Sequence, residues 1–118
     1  MNNPHYTFVP AYGEWHFINT NRPDEVLLNW VDPVDSLYHE WDEDGNSYDE
    51  PQMMTSYDEV FNECDMFILT TINVFENGET DLPHNNKQEQ FNKLPSNAAE
   101  IMAHALYDYY IAESITPI

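Results

Sequence analysis

Between Pro23 and Asn86 this chain places 17 aspartates and glutamates and not one lysine or arginine. Self-repulsion among so many carboxylates works against compaction, so whatever fold forms must carry them on the surface of its core. Over the whole 118 residues, 22 acids face 3 bases, Arg22, Lys87 and Lys93, for a formal charge of -19. Acidity of that order often accompanies disorder, but 42% of the residues are hydrophobic and 14% aromatic, enough to build a core. A chain of this length buries roughly two thirds of the surface its unfolded form exposes, which sustains one core and predicts a single domain over residues 1–118. Solubility alone asks for a net charge of only about 2 to 8 in a small domain, so the excess points to a function. It excludes nucleic acid and anionic membranes as ordinary direct partners.

Cys64 is the only cysteine, so no internal disulfide forms, as suits a reducing compartment. Met1-Asn2-Asn3-Pro4-His5-Tyr6 has neither the basic start nor the apolar run of a secretory signal, and Met66 to Ile72 is too short to span a bilayer. A cytoplasmic location is expected.

Residues 1 to 22 are aromatic and nearly neutral, and Tyr6, Phe8, Tyr12, Trp15, His16, Phe17 and Ile18, punctuated by Pro4, Pro10 and Gly13, read as short strands with turns. From Pro23 to Trp41 both a helix starting at Pro23-Asp24-Glu25, or at Asp32-Pro33, and a strand over Val26 to Val31 remain open. Thr55 or Ser56 caps a short helix with Tyr57, Val60, Phe61 and Cys64 on one face, leaving Asp58, Glu59 and Glu63 on the other. Met66 to Phe75 is β-rich and runs into Asn77-Gly78, which predicts a buried strand ending in a tight turn. The clearest helix follows Pro95, with Ser96 or Asn97 as N-cap and Ala98, Ile101, Met102, Ala105, Tyr109 and Ala112 as its apolar face, stopping near Pro117. The expected fold is α+β: a mainly antiparallel sheet packed with a C-terminal helix and one or two shorter helices.

The sharpest local feature is Glu40-Trp41-Asp42-Glu43-Asp44-Gly45-Asn46-Ser47-Tyr48-Asp49-Glu50. Counted from Glu40, it resembles a calcium loop through Gly45, but position 12 is Pro51 where a bidentate Glu is required. A solvated hairpin tip is the plainer reading. If the segment is extended, Glu40, Asp42 and Asp44 emerge on one side about 6.5 to 7 Å apart, close to a phosphate repeat. Acids one helical turn apart, such as Glu59 and Glu63, stand about 6 Å apart. Carboxylates so placed offer charge-assisted bonds to the lysines and arginines that grip a DNA backbone. The candidate partner-binding residues are therefore Glu40, Asp42, Glu43, Asp44, Asp49, Glu50, Asp58, Glu59 and Glu63, with Trp41 at least partly exposed among them.

Catalysis is not indicated. His5, His16, His39, His84 and His104 are scattered without ligand spacing, the chain has three glycines and no phosphate loop, and Cys64 shares an apolar helix face with acids nearby. No catalytic residue, metal ligand or cofactor is assigned.

In size, single-domain composition and basic-free acidic middle, the chain resembles the small DNA-mimic proteins of bacteria and phages, most of all the neisserial mimics that bind the histone-like protein HU. The resemblance implies a basic, HU-like nucleoid protein as partner and competition with DNA as mechanism, by a monomer or small homo-oligomer. Other readings are an immunity or antitoxin-type inhibitor of a basic nuclease, and a calcium-binding module.

Overall fold

A computed structural model of the protein describes residues 5–78 and 86–112. His84, Met1 to Pro4 and the expected stop at Pro117 lie outside them. The chain runs β1 (Tyr6–Ala11), β2 (Glu14–Asn19), β3 (Arg22–Val31), a 3-10 turn (Pro33–Leu37), β4 (Tyr38–Trp41), β5 (Ser47–Met53), α1 (Tyr57–Glu76), α2 (Gln88–Phe91) and α3 (Ala98–Leu106), which continues as a wide π turn over Tyr107–Ala112. The fold is α+β, with two antiparallel sheets, β1-β2-β3 and β4-β5.

The aromatic N-terminal stretch builds the larger sheet. Side chains alternate across a strand, so Phe8, Trp15 and Phe17 fall on one face, and the pairing sets Phe8 opposite Phe17, Phe17 opposite Leu28 and Trp15 opposite Trp30. All five are buried. Tyr12 and Gly13 turn the first hairpin with φ of 53° and 83°, the left-handed pair that a two-residue connection between twisted strands demands. The β2–β3 ladder shifts register between Phe17 and Ile18, which leaves Leu27 as an extra residue, buried beside Leu28.

Of the readings of residues 23–41, the strand is adopted over Val26 to Val31 within β3, and the helix start at Asp32-Pro33 yields only the 3-10 turn. No helix starts at Pro23, which sits near the start of β3 at the sheet's edge, where its missing N–H disturbs the ladder least. Asn86 covers that edge farther along. Its buried amide accepts from Asn29 N (2.6 Å) and donates to Asn29 O (2.9 Å), as a partner strand would.

The buried strand expected over Met66 to Phe75 does not form; those residues are the second half of α1. Val60, Phe61, Cys64, Phe67, Ile68, Thr71, Ile72 and Phe75 recur at helical spacing and pack against the core, so one continuous apolar stripe overrides the β preference of the individual residues. Thr71 is buried at no cost in lost hydrogen bonding because Oγ1 donates to Phe67 O (2.9 Å). Asn77-Gly78 ends this helix instead of turning a hairpin: Gly78, at φ 70°, donates its N–H to Phe75 O. Ser56 is the cap, its hydroxyl accepting from Glu59 N.

The C-terminal helix starts after Asn97 as expected, with Ala98 and Met102 buried and Ile101 and Ala105 packed against the core, but it is shorter than α1 and its apolar face is broader. Ala98, Ala99, Met102, Ala103 and Leu106 are buried, and in the π turn Ile111 is buried while Tyr109 is exposed. Beyond Leu106 the π turn adds residues to each turn, which brings Ile111 inward and leaves Tyr109 outward relative to regular helical spacing. Tyr110 then reaches the sheet, where its hydroxyl accepts from Trp15 Nε1 (3.1 Å).

Candidate functional site

The nine candidate carboxylates fall on two elements. Glu40, Asp42, Glu43, Asp44, Asp49 and Glu50 belong to the β4–β5 ribbon, and Asp58, Glu59 and Glu63 to the first two turns of α1. In the ribbon Tyr38 pairs with Met53, His39 with Gln52 and Trp41 with Ser47, with an irregularity between His39 and Trp41. Its hairpin is no helix–loop–helix, so the calcium-loop count has no matching frame here. Among the described residues no group of three or more His, Cys, Asp or Glu is placed to hold a metal ion.

Strand β4 ends at Trp41, so Glu40, Asp42 and Asp44 do not share the extended spacing that one strand would give. Asp42 is instead the organiser of the turn: Oδ1 accepts from Asp44 N (3.0 Å) and Asn46 N (2.9 Å), while its backbone N–H bonds Asn46 O and its carbonyl receives Gly45 N. Gly45 takes φ 86° there, which side-chain-bearing residues rarely adopt. Glu40, Glu43, Asp44, Asp49 and Glu50 are exposed. Asp49 and Glu50, as strand neighbours, project to opposite sides of the ribbon. Trp41 is 62% exposed and Tyr38 and Tyr48 are also exposed, while Trp15 and Trp30 are core.

Of the three candidate acids on α1, only Asp58 is exposed. Glu59 closes a capping box, accepting from Ser56 Oγ (2.9 Å) while Ser56 Oγ accepts from Glu59 N (3.2 Å). Its second oxygen contacts His39 Nε2 of β4, so this pair ties the ribbon to the helix. Partial burial opposes ionisation of Glu59, but the Ser56 hydroxyl and the neighbouring His39 outweigh it and hold the carboxyl below its ordinary value. Glu63, expected on the outer side, is half-buried because Trp30 and the 3-10 turn approach that side of the helix. Burial pushes its carboxyl upward, against a smaller opposing pull from His39. At the next residue, burial raises the Cys64 thiol to about 12, with Glu63 and Asp65 adding to it, so this cysteine is packed and its thiolate is disfavoured.

The bases sit elsewhere. Arg22 opens β3, Lys87 precedes α2 and borders the cleft lined by Asp24 and Glu25, and Lys93, just past α2, pairs with Glu25 (2.7 Å). Among the described residues, the ion pairs reaching the ribbon and the start of α1 are thus limited to His39 with Glu59.

Sequence reasoning missed the clamp role of His39 and the turn role of Asp42. It also missed a groove of about 290 Å³ between the 3-10 turn and α1, lined by Trp30, Ser36, Glu63, Met66, Phe67, Thr70 and Thr71. Glu63, Met66, Phe67 and Thr70 follow the i, i+3, i+4, i+7 spacing of one helix face, a signal that the strand reading of Met66 to Phe75 concealed. No protein family, curated protein or solved structure matched the chain in comparisons.

Proposed function

We propose that this protein is a DNA mimic that occupies the basic surface of a nucleoid-associated, HU-like or other DNA-binding protein and competes there with DNA. The observation that carries the reading is the segregation of charge: Arg22, Lys87 and Lys93 gather at β3 and α2, and the ribbon and first turns of α1 hold nine acids and no lysine or arginine. Exposed carboxylates on this ribbon offer a basic partner repeated charge-assisted contacts, and the field they generate steers that partner in before contact. Glu40, Glu43, Asp44, Asp49, Glu50 and Asp58 make those contacts in this reading, while Asp42 and Glu59 hold the frame and Glu63 stands at its margin. The function is occlusion without catalysis, and it belongs in the cytoplasm, where a nucleoid protein is met. Among the described residues no helix is long and apolar enough to cross a membrane.

A fluorescent short duplex bound to purified HU tests this directly. The protein is expected to displace the duplex, less effectively as salt rises. The variant Glu40→Gln, Glu43→Gln, Asp44→Asn, Asp49→Asn, Glu50→Gln is expected to lose displacement while keeping its circular dichroism spectrum. Equal displacement by that variant would remove the ribbon from the interface, and no displacement by the wild type would remove HU as the partner.

A further inference from the structure

The groove between the 3-10 turn and α1 combines features the open ribbon lacks. Its floor is aromatic: Trp30 and Phe67 stack with centroids 4.3 Å apart and planes 15° from parallel. Met66, 58% exposed, forms an apolar wall, and Ser36, Thr70 and Thr71 add hydroxyls. Glu63 supplies a single carboxylate, drawn partly out of water among these groups. None of the chain's lysines or arginines lines the groove.

We propose that this groove receives one arginine side chain of the basic partner, with the guanidinium on the Glu63 carboxylate and the aliphatic stem along Met66 and Phe67. Charge complementarity selects a cation, since among the described residues of the lining the one ionisable group is an acid. Shape and surface select arginine over lysine. A planar guanidinium is weakly hydrated, packs on apolar and aromatic surface and spreads its remaining N–H groups to hydroxyls such as Ser36 and Thr70, whereas an ammonium keeps its water. Half-burial strengthens the pairing, because a carboxylate already partly desolvated loses less hydration when the cation arrives. That burial already pushes the Glu63 carboxyl upward, against only a smaller pull from His39, accords with an acid that no lysine or arginine among the described residues pairs. The inference rests on reading the acidic surface as a face for a basic partner, and it adds an anchored, salt-tolerant contact to a surface otherwise governed by screened charges.

The test is methyl NMR of the full chain, following Met66 and Thr70 while N-acetyl-arginine methylamide is added. Saturable shifts at both methyls are expected, weaker with the lysine analogue and absent with the uncharged norleucine analogue. Glu63→Gln should weaken the arginine affinity by about tenfold, the value of a charge-assisted hydrogen bond. Met66→Ala, at an exposed position, should weaken it less while leaving the fold intact, and Glu89→Gln, on the exposed side of α2, should leave it unchanged. Equal shifts with norleucine, equal affinity for lysine, or an unaltered Glu63→Gln variant would overturn the assignment. Arginine binding in the groove without displacement of DNA from HU would sink the mimic reading alone. Displacement of DNA by wild type and Glu63→Gln alike, with no arginine response, would sink the groove alone.

Discussion

The two sheets of this protein share antiparallel pairing and differ in almost everything else. In β1-β2-β3 one face carries Phe8, Trp15, Phe17, Leu28 and Trp30 into the core, and the element exists because it buries them. In β4-β5 nearly every side chain is exposed, and the ribbon is held at its ends: by Leu37 O and Met54 N beneath it, by the Asp42 turn at its tip, and by His39 on Glu59. Separating the charge-bearing element from the core-forming one lets the chain concentrate carboxylates without desolvating them.

The largest effect that would break this contrast lies in the core. Phe17→Ala removes a fully buried ring between Tyr6, Phe8 and Leu28 and is expected to cost about 3 to 5 kcal/mol, a large share of a typical total of about 5 to 15. Tyr48→Ala in the exposed ribbon should stay within about 0.5 kcal/mol, both variants being compared by urea titration. Comparable losses at both sites would mean that the ribbon is part of the core after all.

Next comes the ribbon's own frame. Asp42→Ala deletes the acceptor of two turn amides and should cost roughly 1 kcal/mol, read as faster hydrogen exchange at Asp44 and Asn46 with the core amides unchanged. Asp42→Asn keeps an acceptor oxygen and should restore most of that protection.

The smallest effects separate two acids on one helix. Glu59 titrates below its ordinary value in the folded chain, so its stabilisation is present above the unfolded-state pKa and is lost as pH falls through the folded value. Glu63 titrates above its ordinary value, so its contribution is present below the unfolded-state pKa and is lost as pH rises through the folded one. Glu59→Gln should therefore be less stable than wild type at neutral pH, with the gap closing on acidification, and Glu63→Gln as stable as wild type or more so. Both differences should amount to a few tenths of a kcal/mol in urea midpoints, given the exposure of each group. A shift of the same sign for the two variants at neutral pH would show that net charge, and not local environment, governs them.

Much of the fold was legible in the chain: the early strands from aromatic alternation, the Ser56 cap, the helix after Asn97, the buried Cys64 and the exposed Trp41. Met66 to Phe75 was misread because β-branched and aromatic residues favour strands locally, while the apolar stripe begun at Val60 continues through them at helical spacing. Asn77-Gly78 compounded the error, since a helix end and a hairpin turn both call for a left-handed residue. Asp42 and Glu59 were legible as acids but not as fasteners. Composition counts charge, and only three-dimensional neighbours decide which carboxylates are already engaged.

The single amide of Asn86 on β3 has a consequence for how this protein meets its own copies. An open sheet edge is a template on which a foreign strand can add, and β3 is such an edge. By taking both the N–H and the C=O of Asn29, one side chain stoppers that template toward the C-terminal end of β3, much as a cork needs to fill only the neck of a bottle.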